Sequence, residues 1–372
     1  MPKFAVRSLF APWRRRRGAI RLQVMPNPDL LLADVPLQAE DPLDWAPVQN
    51  RSAQELRAVE TATRGLPRGY KLPAVARPVL TAAAKTDLRR STLTTLADLG
   101  LFVGTGLAAA FAHLLLPAPL AWAISLVAIV VMGRCGRALE CMVHEASHRN
   151  WQRQGRWNDL LANVLAGFPT ASQVGEYRRS HMVHHARLGS ADDPDIIRYE
   201  QFDLEAMTGL RGTELVKGVV RRLPAYNWSW YSAIGTSRAT LALSGAWYAV
   251  VAGLIALVAG PQAALLTWLH FVAGFGLVLP VIRMLGEAGE HRFIAGDSAF
   301  NATISNLGWA HRWIIHPHGD GHHTLHHLWS SVPHHQIAQM HLALAELDGA
   351  NFGASIQWRK KVLENVRTGL DA

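Results

Sequence analysis

The sequence predicts an all-α integral membrane protein: four transmembrane helices in two hairpins, with a cytoplasmic helical cap that carries a histidine-rich site for two metal ions. Three observations predict it. The stretches 99–133 and 239–282 contain no Asp, Glu, Lys or Arg; a span takes about 20 residues, so each stretch is long enough for two and too long for one. Eight of the eighteen histidines fall into three clusters outside those stretches: His144 and His148; His181, His184 and His185; His323, His326 and His327. The basic residues crowd the flanks of the stretches and spare their middles.

Composition places the chain between classes. Of its 372 residues 49% are apolar, and the mean hydropathy is +0.07. That is high for a soluble chain and low for a bare membrane bundle, so spans and aqueous regions are expected together. Residues 1–92 carry no span. Met1–Met25 is rich in Arg, with Arg14–Arg17 in a row, and holds no Asp or Glu. No apolar core of the secretory kind follows, and an organellar targeting segment would carry more Ser, so this opening is read as a basic arm on the membrane surface. Pro42–Pro73 is expected to be a soluble segment with one short helix near Ala53–Thr63.

Pro117-Ala118-Pro119 interrupts the first apolar stretch and Gly260-Pro261 the second, since proline cannot continue a helix and glycine favours turns. Helices are therefore predicted near 97–116, 119–140, 239–259 and 262–285. Both hairpin tips lack Lys and Arg, whereas Arg89, Arg90, Arg134, Arg137, Arg221, Arg238 and Arg283 are among those on the flanks. The positive-inside rule then puts both termini and all three clusters on the cytoplasmic side, the expected membrane being a bacterial inner membrane. The net charge of +9 reads as attraction to anionic lipid and not to nucleic acid, because the charge flanks spans and no nucleic-acid motif is present. Residues 149–238 hold amphipathic pieces, and the run Tyr226, Trp228, Trp230 and Tyr231 is expected at the headgroup level. Cys135 and Cys141 lie about 120° apart around a helix and are expected to be reduced packing residues. The expected division is a basic arm and cytoplasmic segment over 1–92, a membrane and cap domain over 93–345, and a cytoplasmic tail over 346–372.

His144 and His148 stand four apart, which sets both rings on one helix face. The other clusters have the spacing i, i+3, i+4 and are expected to put three imidazoles on a single face, each cluster a preformed claw. A structural zinc site closes with four ligands and a catalytic one with three. The eight clustered histidines, with His291 a ninth candidate, exceed that and argue for two metal ions. Imidazole alone does not choose among iron, copper, nickel and zinc. His113 and His270 lie within spans and are read as packing or helix–helix hydrogen-bonding residues. His316, His318, His322, His334, His335 and His341 are read as cap residues, with His322 replacing His323 if the register shifts by one.

The strings Met142-Val-His-Glu-Ala-Ser-His148, Asn158-Asp159, Tyr177-Arg-Arg-Ser-His-Met-Val-His-His185 and Asp193-Pro-Asp195 are followed by Glu290-His-Arg292, Asn301, Gly321-His-His-Thr-Leu-His-His-Leu328 and Ser331-Val-Pro333. In order and spacing this series resembles the membrane fatty acid desaturase and hydroxylase superfamily over about residues 95–345. The resemblance implies a di-iron oxygenase in which the eight box histidines, His144, His148, His181, His184, His185, His323, His326 and His327, bind two irons with one further histidine, assigned to His291 with His311 as the fallback. It implies that O2 is split at the reduced iron pair and a hydrogen atom is taken from an unactivated C–H bond of an acyl chain or similar lipid-like substrate. Loss of a second hydrogen gives an alkene; hydroxyl rebound, the alternative, gives an alcohol. Electrons are expected from a ferredoxin, rubredoxin or cytochrome b5-like partner with its reductase, because the chain has no Gly-rich dinucleotide loop or Cys cluster of its own.

Neutral imidazoles leave the charge of the irons uncompensated, so carboxylates that accept a ligand's outer N–H are expected. The candidates are Glu145, Asp193, Asp195, Glu287, Glu290 and Asp320, with Asn301 a candidate to position a water near one iron. The chain departs from the pattern before the third box, where the usual aromatic residue is His322 and the approach Ile315-His-Pro-His-Gly-Asp-Gly321 is rich in glycine and histidine. That weakens the substrate assignment and not the ligand set. A metal transporter, the second class of function, would place its ligands near the bilayer midplane, where these clusters are not. A zinc-dependent membrane hydrolase or a non-catalytic metal-binding protein is the third, distinguished by iron content and O2 consumption.

Overall fold

The computed structural model describes residues 65–370, together with the backbone of Gln23–Val24 and Asn27–Leu31. The rest of the expected basic arm, and the helix near Ala53–Thr63, lie outside the described residues. In chain order the helices used below are α1 (Leu88–Leu115), α2 (Ala118–Ser147), α3 (Val174–Arg187), α4 (Pro194–Gln201), α5 (Gly212–Thr236), α6 (Arg238–Ala259), α7 (Pro261–Ala273), α8 (Leu279–Glu290), α9 (His323–Leu328) and α10 (His334–Leu347). A π turn, Gly274–Val278, joins α7 to α8, and the two run as one element of 30 residues. This element, α1, α2 and α6 are long and apolar enough to cross a membrane.

Local chemistry sets the ends. The Asp87 carboxylate accepts the N–H of Arg90 and caps α1, Pro119 stands in the first turn of α2, and Gly260 at φ +90° breaks α6 from α7, a conformation glycine adopts without a Cβ penalty. Three helices run past the predicted spans: α1 begins at Leu88, α2 continues to Ser147 and α8 to Glu290. The charges that closed the predicted spans do not stop the helices, because they are paired inside the protein. Arg134 binds Asp98 at 2.5 Å and Arg137 binds Asp320 at 2.8 Å.

The apolar helices pack on small residues. A Cβ on Gly133 would lie 2.5 Å from the Val278 side chain, and one on Gly274 would lie 3.0 Å from Met132 Cβ. The α2 backbone and the π turn thus meet where only glycine fits. Helix α6 stands apart: 6% of its apolar window is buried, against 33–39% for the other three, and Leu254, Leu257 and Val258 face outward.

The helical expectation needs one correction. A three-stranded sheet, β1 (Ser305–Asn306), β2 (Gln357–Arg359) and β3 (Arg367–Thr368), pairs parallel between β1 and β2 and antiparallel between β2 and β3. Strands of two or three residues show no alternation over the four to eight positions that would reveal them in sequence. The sheet ties residues 357–368 to β1. Phe352 and Ile356 are buried with Leu325 and Leu328 of α9, so the C-terminal segment backs the third histidine cluster. Residues 65–87 join the same core, with Tyr70 stacked on Phe300 and hydrogen-bonded to Asp348 at 2.6 Å.

Candidate metal centre

Four elements deliver the nine histidines. Helix α2 carries His144 in its last turn, with His148 at its C-cap; α3 carries His181, His184 and His185; α9 carries His323, His326 and His327; His291 follows α8. Arg178 fastens the first two elements together. Its guanidinium donates to the Ser147 carbonyl at 2.7 Å and the Ala146 carbonyl at 2.9 Å, and to Asp159 at 2.8 Å and 2.6 Å, a cation on the free carbonyls at the end of α2. Asn158 donates to the Ala146 carbonyl at 2.8 Å.

The nine rings form two groups. His144, His148, His181, His185 and His326 make one; His184, His291, His323 and His327 make the other. This corrects the expectation that each cluster is a claw of its own. In α3 and in α9 the i, i+4 pair serves one group and the i+3 ring serves the other. The wheel explains it: residues four apart are about 40° apart, whereas the i+3 residue lies about 60° to the other side of the first. The two helices divide their rings reciprocally, the α3 pair joining His326 and the α9 pair joining His184.

Within a group the ε nitrogens converge. His181 Nε2 lies 2.9 Å from His144 Nε2, 2.8 Å from His148 Nε2 and 3.1 Å from His185 Nε2. In the second group His323 Nε2 lies 3.0 Å from His291 Nε2 and 3.1 Å from His327 Nε2. A ring nitrogen carries at most one proton, so three neighbours around His181 cannot all be hydrogen-bonded. Donors bound to a metal at about 2.1 Å and at right angles to one another stand about 3.0 Å apart, which these separations match. Burial, and then the neighbouring histidines, hold His148, His181, His185, His291, His326 and His327 well below the usual imidazole pKa, so they are neutral donors. His184 differs: burial pushes it down, but the Asp195 and Asp193 carboxylates outweigh that and hold it up at about 9.

The predicted outer partners divide. Asp320 accepts the His144 Nδ1–H at 2.8 Å and Asp193 that of His184 at 2.8 Å. Asp195 lies on the donor side, 3.5 Å from His184 Nε2. Glu290 pairs with His316 at 3.3 Å and Arg137 at 3.5 Å. Three other candidates have partners outside the two groups. Glu145 turns away and accepts the backbone N–H of His334 at 2.7 Å, because the first turn of α10 offers free donors there. Glu287 is held by Arg198 at 2.6 Å and Tyr226 at 2.7 Å. Asn301 bonds Asp297 at 2.6 Å, away from both groups. His311 packs on His316 at 3.1 Å and His322 on His341 at a ring separation of 4.8 Å, so neither enters a group. His113 and His270 meet across Ser125, at 2.7 Å and 2.8 Å. Cys135 and Cys141 are free and buried.

A family model described as fatty acid desaturase matches residues 117–359, taking in every histidine of both groups. The chain belongs to the fatty acid desaturase family. A curated relative, the dihydrorhizobitoxine desaturase of Bradyrhizobium elkanii, is 32% identical over 77 residues. The match spans 20% of this chain and 22% of that protein, about a fifth of the relative's length.

Sequence reasoning missed the wall of the cavity at the centre. A cleft of about 80 Å³ reaches His144, His181, His184 and His323 and is lined also by Arg137, Glu140, Trp230, Arg283 and Glu287. Arg137 and Arg283, expected on the membrane flanks, have side chains only 12% and 5% exposed. An ionisable residue in a span-forming helix points to function, and that signal was present. Trp230 and Tyr226, expected at the headgroups, are buried, while Trp228 is exposed, because residues 226 and 230 share one face of α5.

Proposed function

We propose that this family member is an O2-dependent di-iron desaturase that introduces a double bond into an acyl chain or similar substrate, its two irons held by the two histidine groups. The convergence of nine ε nitrogens into two groups with metal-like spacing carries the reading. Iron bound there would supply the oxidising chemistry: a –CH2–CH2– unit, O2, two electrons and two protons give –CH=CH– and two waters. The chain's residues hold and orient the centre. Asp193 and Asp320 fix the tautomer of His184 and His144 so that Nε2 points inward. The electrons come from an external ferredoxin, rubredoxin or cytochrome b5-like protein with its reductase.

In this reading the four apolar helices form two hairpins in a bacterial inner membrane, and the basic flanks keep the cap, the centre and the termini in the cytoplasm. Expression of the chain in a bacterial host, with mass spectrometry of lipids and small metabolites against a His184→Ala control, tests it. Loss of two hydrogens from a product absent in the control is the expected result. Gain of one oxygen would assign hydroxylation instead.

A further inference from the structure

We infer that Tyr199 is a positioning residue for the ninth histidine: its hydroxyl opens the last turn of α8 and so delivers His291 to the four-donor group. The inference rests on the reading of the two groups as a metal centre. In an α-helix each N–H bonds the carbonyl four residues back, so the His291 N–H would close on the Glu287 carbonyl and carry the helix through His291. The Tyr199 hydroxyl stands between the two instead. It accepts the His291 N–H at 3.0 Å and donates to the Glu287 carbonyl. One hydroxyl can do both, having one proton and two lone pairs, and a side chain inserted into the ladder breaks the helix there. Beyond the break His291 is extended, at φ −125° and ψ 161°, and pairs with Thr303. Its neighbours hold that pairing: the Ile304 N–H donates to the Glu290 carbonyl at 2.9 Å and the Arg292 N–H to the Ala302 carbonyl at 2.7 Å. His291 Nε2 then stands 3.0 Å from His323 Nε2.

Tyr199 is itself held in place. It is 1% exposed, its ring meets Phe293 edge-on at 5.1 Å, and the adjacent Arg198 grips the Glu287 carboxylate at 2.6 Å and 3.0 Å. Two successive residues of α4 thus take the carboxylate and the carbonyl of one residue of α8. The same helix is capped by Asp193, whose carboxylate accepts the His184 Nδ1–H. Helix α4 therefore braces two of the four donors, His184 at its start and His291 near its end. Among the described residues it hydrogen-bonds none of the five-donor rings. Loss of the Tyr199 hydroxyl should be felt at one group only.

The test titrates the metal-free full chain in lipid nanodiscs with ferrous iron, under argon and followed by calorimetry, with unfolding temperatures measured on the same samples. Two binding steps are expected of the unaltered chain. Tyr199→Phe keeps the ring and its packing and loses the hydroxyl; it should weaken one step about 10- to 100-fold and leave the other. Tyr226→Phe removes a buried hydroxyl from the Glu287 carboxylate and should leave both steps, which separates the role of Tyr199 from a general loosening around Glu287. His291→Ala should weaken the same step, and adding Tyr199→Phe to it should cost nothing more, because Tyr199 acts through His291. Unchanged affinities in Tyr199→Phe, an equal loss in Tyr226→Phe, or losses that add in the double variant overturn the inference, while two steps in the unaltered chain leave the centre standing. A single step in the unaltered chain would remove the two-metal centre, and the inference with it.

Discussion

His184 and His326 hold equivalent places in their clusters, three residues after the first histidine, and each crosses to the group that the other helix's pair serves. The centre is therefore interlocked, and single replacements have different outcomes. His291→Ala removes one of four donors and should lower the metal content to about one per chain, whereas His311→Ala and His322→Ala should keep two; atomic absorption on the purified proteins decides. Asp193→Asn should leave the fold intact and weaken metal binding about 10- to 100-fold, because the His184 ring loses the acceptor that orients it. Metal titration of the apo protein measures this. The clustering of eight histidines was legible from spacing, and the candidacy of His291 from its position after α8. Glu145 and Asn301 were not, because their side chains answer to the start of α10 and to Asp297, neither of which a local string reveals.

Between elements, α2 and the π turn meet at Gly133 and Val278. Gly133→Val would drive a side chain into Val278 and should destabilise the protein by about 1–3 kcal/mol, read as a lowered unfolding temperature; an unchanged temperature would mean the helices do not meet there. Arg178→Ala frees the end of α2 from α3 and should cost metal in the five-donor group, which α2 and α3 share, before the four-donor group. Element type was legible from the two uncharged stretches and their Pro and Gly breaks. Element ends were not. Arg137, Glu140 and Arg283 look the same in sequence whether they face headgroups or a buried cleft, and only the partner helix decides between the two.

Across the molecule, histidines outside both groups couple the fold to pH. Burial, foremost, holds His311 and His334 at about 3 and His341 at about 4. An unfolded chain takes up these protons near pH 6.5, so below that pH the unfolded state binds more protons than the folded one. Stability is thus complete above about pH 6.5 and falls as the pH drops toward 4, even with the metals bound. Unfolding midpoints that stay level from pH 7 to 5 would contradict this. The proposed chemistry requires two metal ions held by nine imidazoles from four separate elements. Metal analysis of the purified chain tests that most directly: two irons per chain are predicted, and a chain that carries one zinc and no iron would contradict it.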